Sequence, residues 1–195
     1  PITMTDRSST HRRLARRLRY LWTFELFDSL FFPALLGGIS VYLQQRVGVF
    51  AVCSAAMVTW LLWQGAAYWW LRLRALKRRS EMPRRCLAWF RLMRVGNWIL
   101  IALLPVLMAI LSGLGLVVRT GLNLTAGIGF FTLAVLEQVN YYHYQLMVDY
   151  GPDWQYLLRN RRLKRSSLSR ALSKARRDPS AARPVHERDG GLRRG

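Results

Sequence analysis

Long apolar runs alternate with arginine-rich stretches along this chain, and the lengths of the runs predict its elements. The clearest run, 47–71, is 25 residues without a charge. A bilayer's hydrocarbon core is about 30 Å thick and takes about 20 helical residues to cross, so this run predicts a spanning helix. Trp69 and Trp70 at its end suit the headgroup level, where aromatic belts form. A second run, 97–118, has 22 uncharged residues with Pro105 in its middle. The run 29–43 is only 15 residues, too short to cross alone, so its span has to begin near Leu21 and take in Glu25 and Asp28. Pro33, followed by Gly37 and Gly38, predicts a kink there, tolerable where neighbouring helices re-satisfy freed backbone groups.

The fourth run carries polar groups where they are most costly. Its span, 121–148, places Glu137 well below the surface, followed by Gln138, Asn140, Tyr141, Tyr142, His143, Tyr144 and Gln145. The reading is therefore an all-α polytopic membrane protein, a four-transmembrane-helix bundle with basic cytoplasmic amphipathic helices. The spans fall at about 21–43, 47–71, 97–118 and 121–148 within a domain covering 20–150. A basic segment, 1–19, precedes them as a short surface helix. The connector 72–95 interleaves arginines with Leu87, Trp89, Phe90, Leu92 and Met93, a pattern suited to a helix lying in the interface. The segment 151–177 reads as a second basic amphipathic helix, and 178–195, rich in Pro, Gly, Ala and Arg, as a disordered tail.

Composition changes this picture only by orienting it. The net charge is +20, and a chain 52% apolar with its charges gathered into blocks is not an ordinary soluble basic domain. Of 30 Lys and Arg, all but Arg46 and Arg119 fall before the first span, between the second and third, or after the fourth. The positive-inside rule then puts both termini in the cytoplasm, in a bacterial inner membrane. Basic clusters beside spans attract anionic lipid headgroups at about 1 kcal/mol per residue, which points to Arg84, Arg85, Arg91, Arg94, Arg161, Arg162, Lys164 and Arg165 as headgroup contacts and disfavours nucleic acid. No secretory leader pattern is read at the N-terminus.

The candidate chemistry lies in the intramembrane polar groups. Ionisable residues within spans face protein or water and mark functional sites by default. Glu25 and Asp28 share a depth range with Glu137, Asn140, Tyr141, His143 and Tyr144, and helical spacing puts Glu137, Asn140, Tyr141, Tyr144 and Gln145 on one stripe. This constellation reads as a proton or cation pathway or a polar headgroup site, against the plainer alternative of Glu137 neutral or bonded to Asn140, a Tyr or Gln64 as interhelical glue. His143 is the one histidine outside the tails, so no cofactor and no metal is expected. Cys53 and Cys86 are expected to remain unpaired. Asn123-Leu124-Thr125 matches a glycosylation sequon, but one set too close to the bilayer to serve. No hydrolase elbow, zinc-binding helix motif or nucleotide loop occurs. The leading expectation is a non-catalytic accessory, assembly or interaction subunit with a protein partner or as a homo-oligomer. The alternatives are a small oligomeric transporter or channel using Glu25, Asp28 and Glu137, and, more weakly, an intramembrane lipid-modifying enzyme.

Overall fold

The computed structural model describes residues 4–116, 120–146, 159 and 163–177. Within them lie five helices: α1 (Met4–Leu43), α2 (Val49–Lys77), α3 (Arg84–Gly113), α4 (Gly121–Tyr142) and α5 (Ser167–Arg177). There is no strand among the described residues, and α1 to α4 are each long and apolar enough to cross a membrane. The expected turn at Arg119, the last residues of the fourth span, the segment 154–158, Arg161, Arg162 and the tail 178–195 lie outside the described residues.

Two boundaries differ from the sequence expectation. The basic stretch 72–95 is not a separate interfacial helix. Residues up to Lys77 continue α2 and those from Arg84 continue into α3 without a break, leaving 78–83 as the connector. Arg and Lys are good helix formers, so nothing between Arg84 and Asn97 stops the helix, and Pro83 sits just ahead of it, where it cannot continue a helix from α2. Likewise α1 runs unbroken from the basic N-terminal segment through Pro33. The fourth helix ends at Tyr142, short of the expected 148.

The connectivity puts the α1 N-terminus, the α2–α3 connector, the C-terminus of α4 and α5 at one end of the bundle, here called the basic end. α2 packs between α1 and α4, with α3 and α5 added against them. Val58, Leu61, Leu62 and Ala134 fill the middle. At the basic end Tyr68, Phe90, Tyr141, Tyr142, Leu168 and Leu172 bring α2, α3, α4 and α5 together. Most of α1 and α3 faces outward with apolar side chains such as Phe27, Leu30, Leu103 and Ile110, a surface that suits lipid.

At the far end, the orphan N–H groups of two helix starts are satisfied by side chains from other elements. Asn123 Oδ1 accepts from Ala51 N at 3.1 Å, and Gln45 Oε1 accepts from Leu122 N at 3.1 Å. Asn123 lies where a side chain at Gly48 would have to sit, so glycine is required at that N-cap. This role leaves Asn123 buried and unsuited to glycosylation.

Nearer the basic end, a buried uncharged network joins three helices. Asn97 Nδ2 donates to Gln64 Oε1 and to Gln138 Oε1, each at 3.0 Å, and Gln64 Nε2 returns a bond to Asn97 Oδ1 at 3.1 Å. Gln138 Nε2 donates to the Arg94 carbonyl at 3.0 Å, and the Tyr142 hydroxyl donates to Gln64 Oε1. α3 is otherwise thinly packed, so this network is what registers it against α2 and α4. Interhelical hydrogen bonds in membranes contribute about 0.6 to 2 kcal/mol each, and a stranded buried partner costs about 1–3 kcal/mol. Asn97→Leu is therefore expected to lower unfolding stability by about 2–3 kcal/mol, read as an earlier midpoint in detergent-titrated unfolding followed by circular dichroism. An unchanged midpoint would remove the network from the account of stability.

Candidate functional site

Glu25 on α1 faces inward because α1 packs on α2 along the stripe Leu18, Glu25, Ser29 and Leu36, all buried. Its carboxylate accepts a bond from the Tyr141 hydroxyl of α4 and another from Trp69 Nε1 of α2 at 3.3 Å. Three helices thus meet on one acid. Tyr141 reaches it across Gly65, where a Cβ would stand 2.5 Å from the phenol, so only glycine lets the ring lie flat on α2. Glu137 lies within electrostatic range of the Tyr141 hydroxyl and of Glu25, and its Oε2 accepts from Asn140 Nδ2 at 3.3 Å. Asp28, about one turn on from Glu25, lies within electrostatic range of Glu25 and Glu137.

The expected constellation is therefore assembled in part. Tyr141 bonds Glu25, Asn140 bonds Glu137, and Asp28 lies within electrostatic range of both acids. Glu137 bonds locally to Asn140, while Gln64 is committed to the separate amide network. His143 and Tyr144 are elsewhere, because α4 stops before them. His143 Nε2 accepts from Trp98 Nε1 of α3 at 3.2 Å. Tyr144 pairs with Arg165 in an isolated bridge. The helix ends because the returning chain offers its C-terminus better partners: Ser166 Oγ donates to the Tyr141 carbonyl, Ser166 N to the His143 carbonyl, and Gln145 N to the Lys164 carbonyl. Asn140 Oδ1 also takes Leu146 N at 2.9 Å.

Beside Glu25 the structure opens into a cavity of about 200 Å³ at the basic end. Glu25, Trp69 and Tyr141 line its inner part. Arg17 of α1, Arg72 of α2, and Lys164 and Arg170 of the returning segment line it as well. Arg72 donates to Ser167 Oγ and, at 3.4 Å, to the Tyr68 hydroxyl, and lies over the Trp69 ring at 6.0 Å. These contacts dock the start of α5 against α2. Sequence reasoning placed Lys164 among the headgroup contacts but missed Arg17, Arg72 and Arg170 as its companions. Arg84, Arg85 and Arg91 are exposed on the first turns of α3, and Arg94 is half-buried near His143. Among the described residues no group of His, Cys, Asp and Glu could hold a metal ion, and Cys53 and Cys86 are free thiols.

Comparison with protein-family models, curated proteins and solved structures gave no match. Function has to be argued from the geometry.

His143 supplies a pH-dependent contact just beyond the end of α4. Burial, helped by the Arg94 charge, holds its imidazole below its ordinary value of 6.5. The neutral ring, which accepts from Trp98, is thus favoured in the folded state. The stability it contributes is complete above the unfolded value and is lost as pH falls from there through the folded one. Thermal unfolding in detergent should therefore show a steeper fall in midpoint below about pH 6.5 for the wild type than for His143→Gln, which keeps a polar group without the titration. Parallel profiles would mean that Trp98 and His143 are not coupled.

Proposed function

We propose that this chain is a four-span integral protein of a bacterial inner membrane, both termini cytoplasmic, that acts by binding at its basic end as a non-catalytic accessory or interaction subunit. The observation that carries the reading is the way the intramembrane acids are held. Both Glu25 oxygens accept bonds from packed aromatic donors, and Glu137 accepts a bond from Asn140. Carboxylates so enclosed position helices and line a site. The neighbouring amide network of Gln64, Asn97 and Gln138 fills the space between α2, α3 and α4 with matched donors and acceptors, which supports a closed interior with a polar mouth at one end.

Orientation follows from charge. The basic end gathers the arginines of α1, of the α2–α3 connector and of the α5 region, whereas Arg46 lies at the far end. Reporter fusions after Arg79 and after Arg177 should read as cytoplasmic, and a fusion after Arg46 as exterior. An exterior reading after Arg177 would overturn the four-span arrangement.

A second reading, a small oligomeric transporter or channel, is favoured by Glu25, Asp28 and Glu137 lying within electrostatic range of one another. The two readings part on substitution of Glu137. Glu137→Gln keeps shape and hydrogen bonding, and Glu137→Leu strands the Asn140 amide. Under the binding reading, Gln matches wild type in proteoliposomes loaded with a pH-sensitive dye, and Leu alone loses folded yield. Proton or cation flux present in the wild type and abolished by Gln would establish the transporter instead.

A further inference from the structure

We propose that the cavity between α1, α2, α4 and the α5 segment binds one phosphate-ester headgroup bearing its own hydrogen-bond donor: Arg17, Arg72, Lys164 and Arg170 hold the phosphate, and Glu25 takes the donor. The inference rests on the binding reading above and names its ligand class. Among the described residues lining the cavity, four side chains are cationic and one carries a carboxyl group, a balance that favours an anion. Guanidinium groups match the tetrahedral oxygens of phosphate with paired donors. Arg72 has five N–H donors, and its bonds to Ser167 and Tyr68 leave others to face a ligand.

Glu25 decides the rest of the headgroup. Each of its oxygens accepts one bond from the protein and retains a further lone pair. An ammonium or hydroxyl placed there is matched, whereas a trimethylammonium has no N–H to offer. Leu14, Leu18 and Leu21 of α1 line the same cavity, giving apolar contact for the glycerol carbons of a lipid at the level where headgroups lie. The chemistry is shared by phosphatidylethanolamine or phosphatidylglycerol in the bilayer and by their water-soluble head portions, phosphoethanolamine and glycerophosphate.

The test is lipid retention by the full chain, extracted from nanodiscs of equal phosphatidylethanolamine, phosphatidylglycerol and phosphatidylcholine and weighed by native mass spectrometry. Wild type should keep one donor-bearing lipid about tenfold over phosphatidylcholine, the size of a charge-assisted hydrogen bond. Arg72→Gln should weaken retention of all three lipids about tenfold, and Arg170→Gln, exposed on α5, should do so in the same direction if Arg72→Gln folds poorly. Glu25→Gln should erase the preference over phosphatidylcholine while phosphate-dependent retention persists. Arg46→Gln, at the far end, should change nothing. Displacement by millimolar phosphoethanolamine would support the site and make the soluble ester its ligand; resistance would support the site and make it the lipid. Retention of a lipid that ignores Arg72, Arg170 and Glu25 overturns this assignment alone. A wild type that keeps no phospholipid and binds no soluble ester overturns the binding reading with it.

Discussion

The constraint on which the rest of this structure depends is that a polar group in a low-dielectric interior has to find a partner within the protein. Gln64, Asn97, Gln138 and Tyr142 meet it together, since each amide gives and receives bonds across α2, α3 and α4. Apolar side chains cannot register these helices in lipid, because a methyl group is as content against a lipid tail as against leucine. Matched amides can, since one helical step of sliding would strand several donors at once. The outward apolar faces of α1 and α3 follow from the same logic, as they carry few polar groups that need a partner and suit contact with lipid.

Tyr141 is the joint between this scaffold and the candidate site. Its ring lies over Gly65, and its hydroxyl donates to Glu25. Next to it on α4, Tyr142 belongs to the amide network. Consecutive residues thus serve the two polar systems, one turned toward α1 and the cavity, the other toward α2 and α3. A shift of the α4 C-terminus would disturb both, which makes the capping contacts from Ser166 to the Tyr141 and His143 carbonyls part of the site's geometry.

α5 is held there by burial and by Arg72. Leu168 and Leu172 pack into the cluster of Tyr68, Phe90, Tyr141 and Tyr142, and Arg72 ties Ser167 to α2. An exposed ion pair linking α5 to the α2–α3 connector, Lys174 to Glu81 at 2.9 Å, adds little by comparison, since solvent screens it. The returning segment therefore brings Lys164 and Arg170 to the cavity through its apolar face, leaving its cations turned to the polar space.

What the sequence by itself determined was the set of helices, because span length and the exclusion of charge from hydrocarbon act on contiguous residues. It also marked Glu25, Asp28, Glu137, Asn140, Tyr141, His143 and Tyr144 as one polar group from burial depth and helical spacing, of which His143 and Tyr144 take partners elsewhere because α4 ends before them. It misjudged the connector 72–95 and the end of α4. Arginine-rich helix looks the same whether it lies in an interface or extends a span, and α4 is ended by Ser166, far along the chain. The amide network was invisible because Gln64 and Asn97 stand alone as amides in their apolar runs and Gln138 is one of many polar residues in the fourth, with no spacing to link the three. Only tertiary packing decided that Gly65 opens a place for Tyr141, that Trp69 turns inward to Glu25 and that Arg17, Arg72, Lys164 and Arg170 share a cavity. Those are pairings across long sequence separations, set by which helix faces meet, and no local period in the chain encodes them.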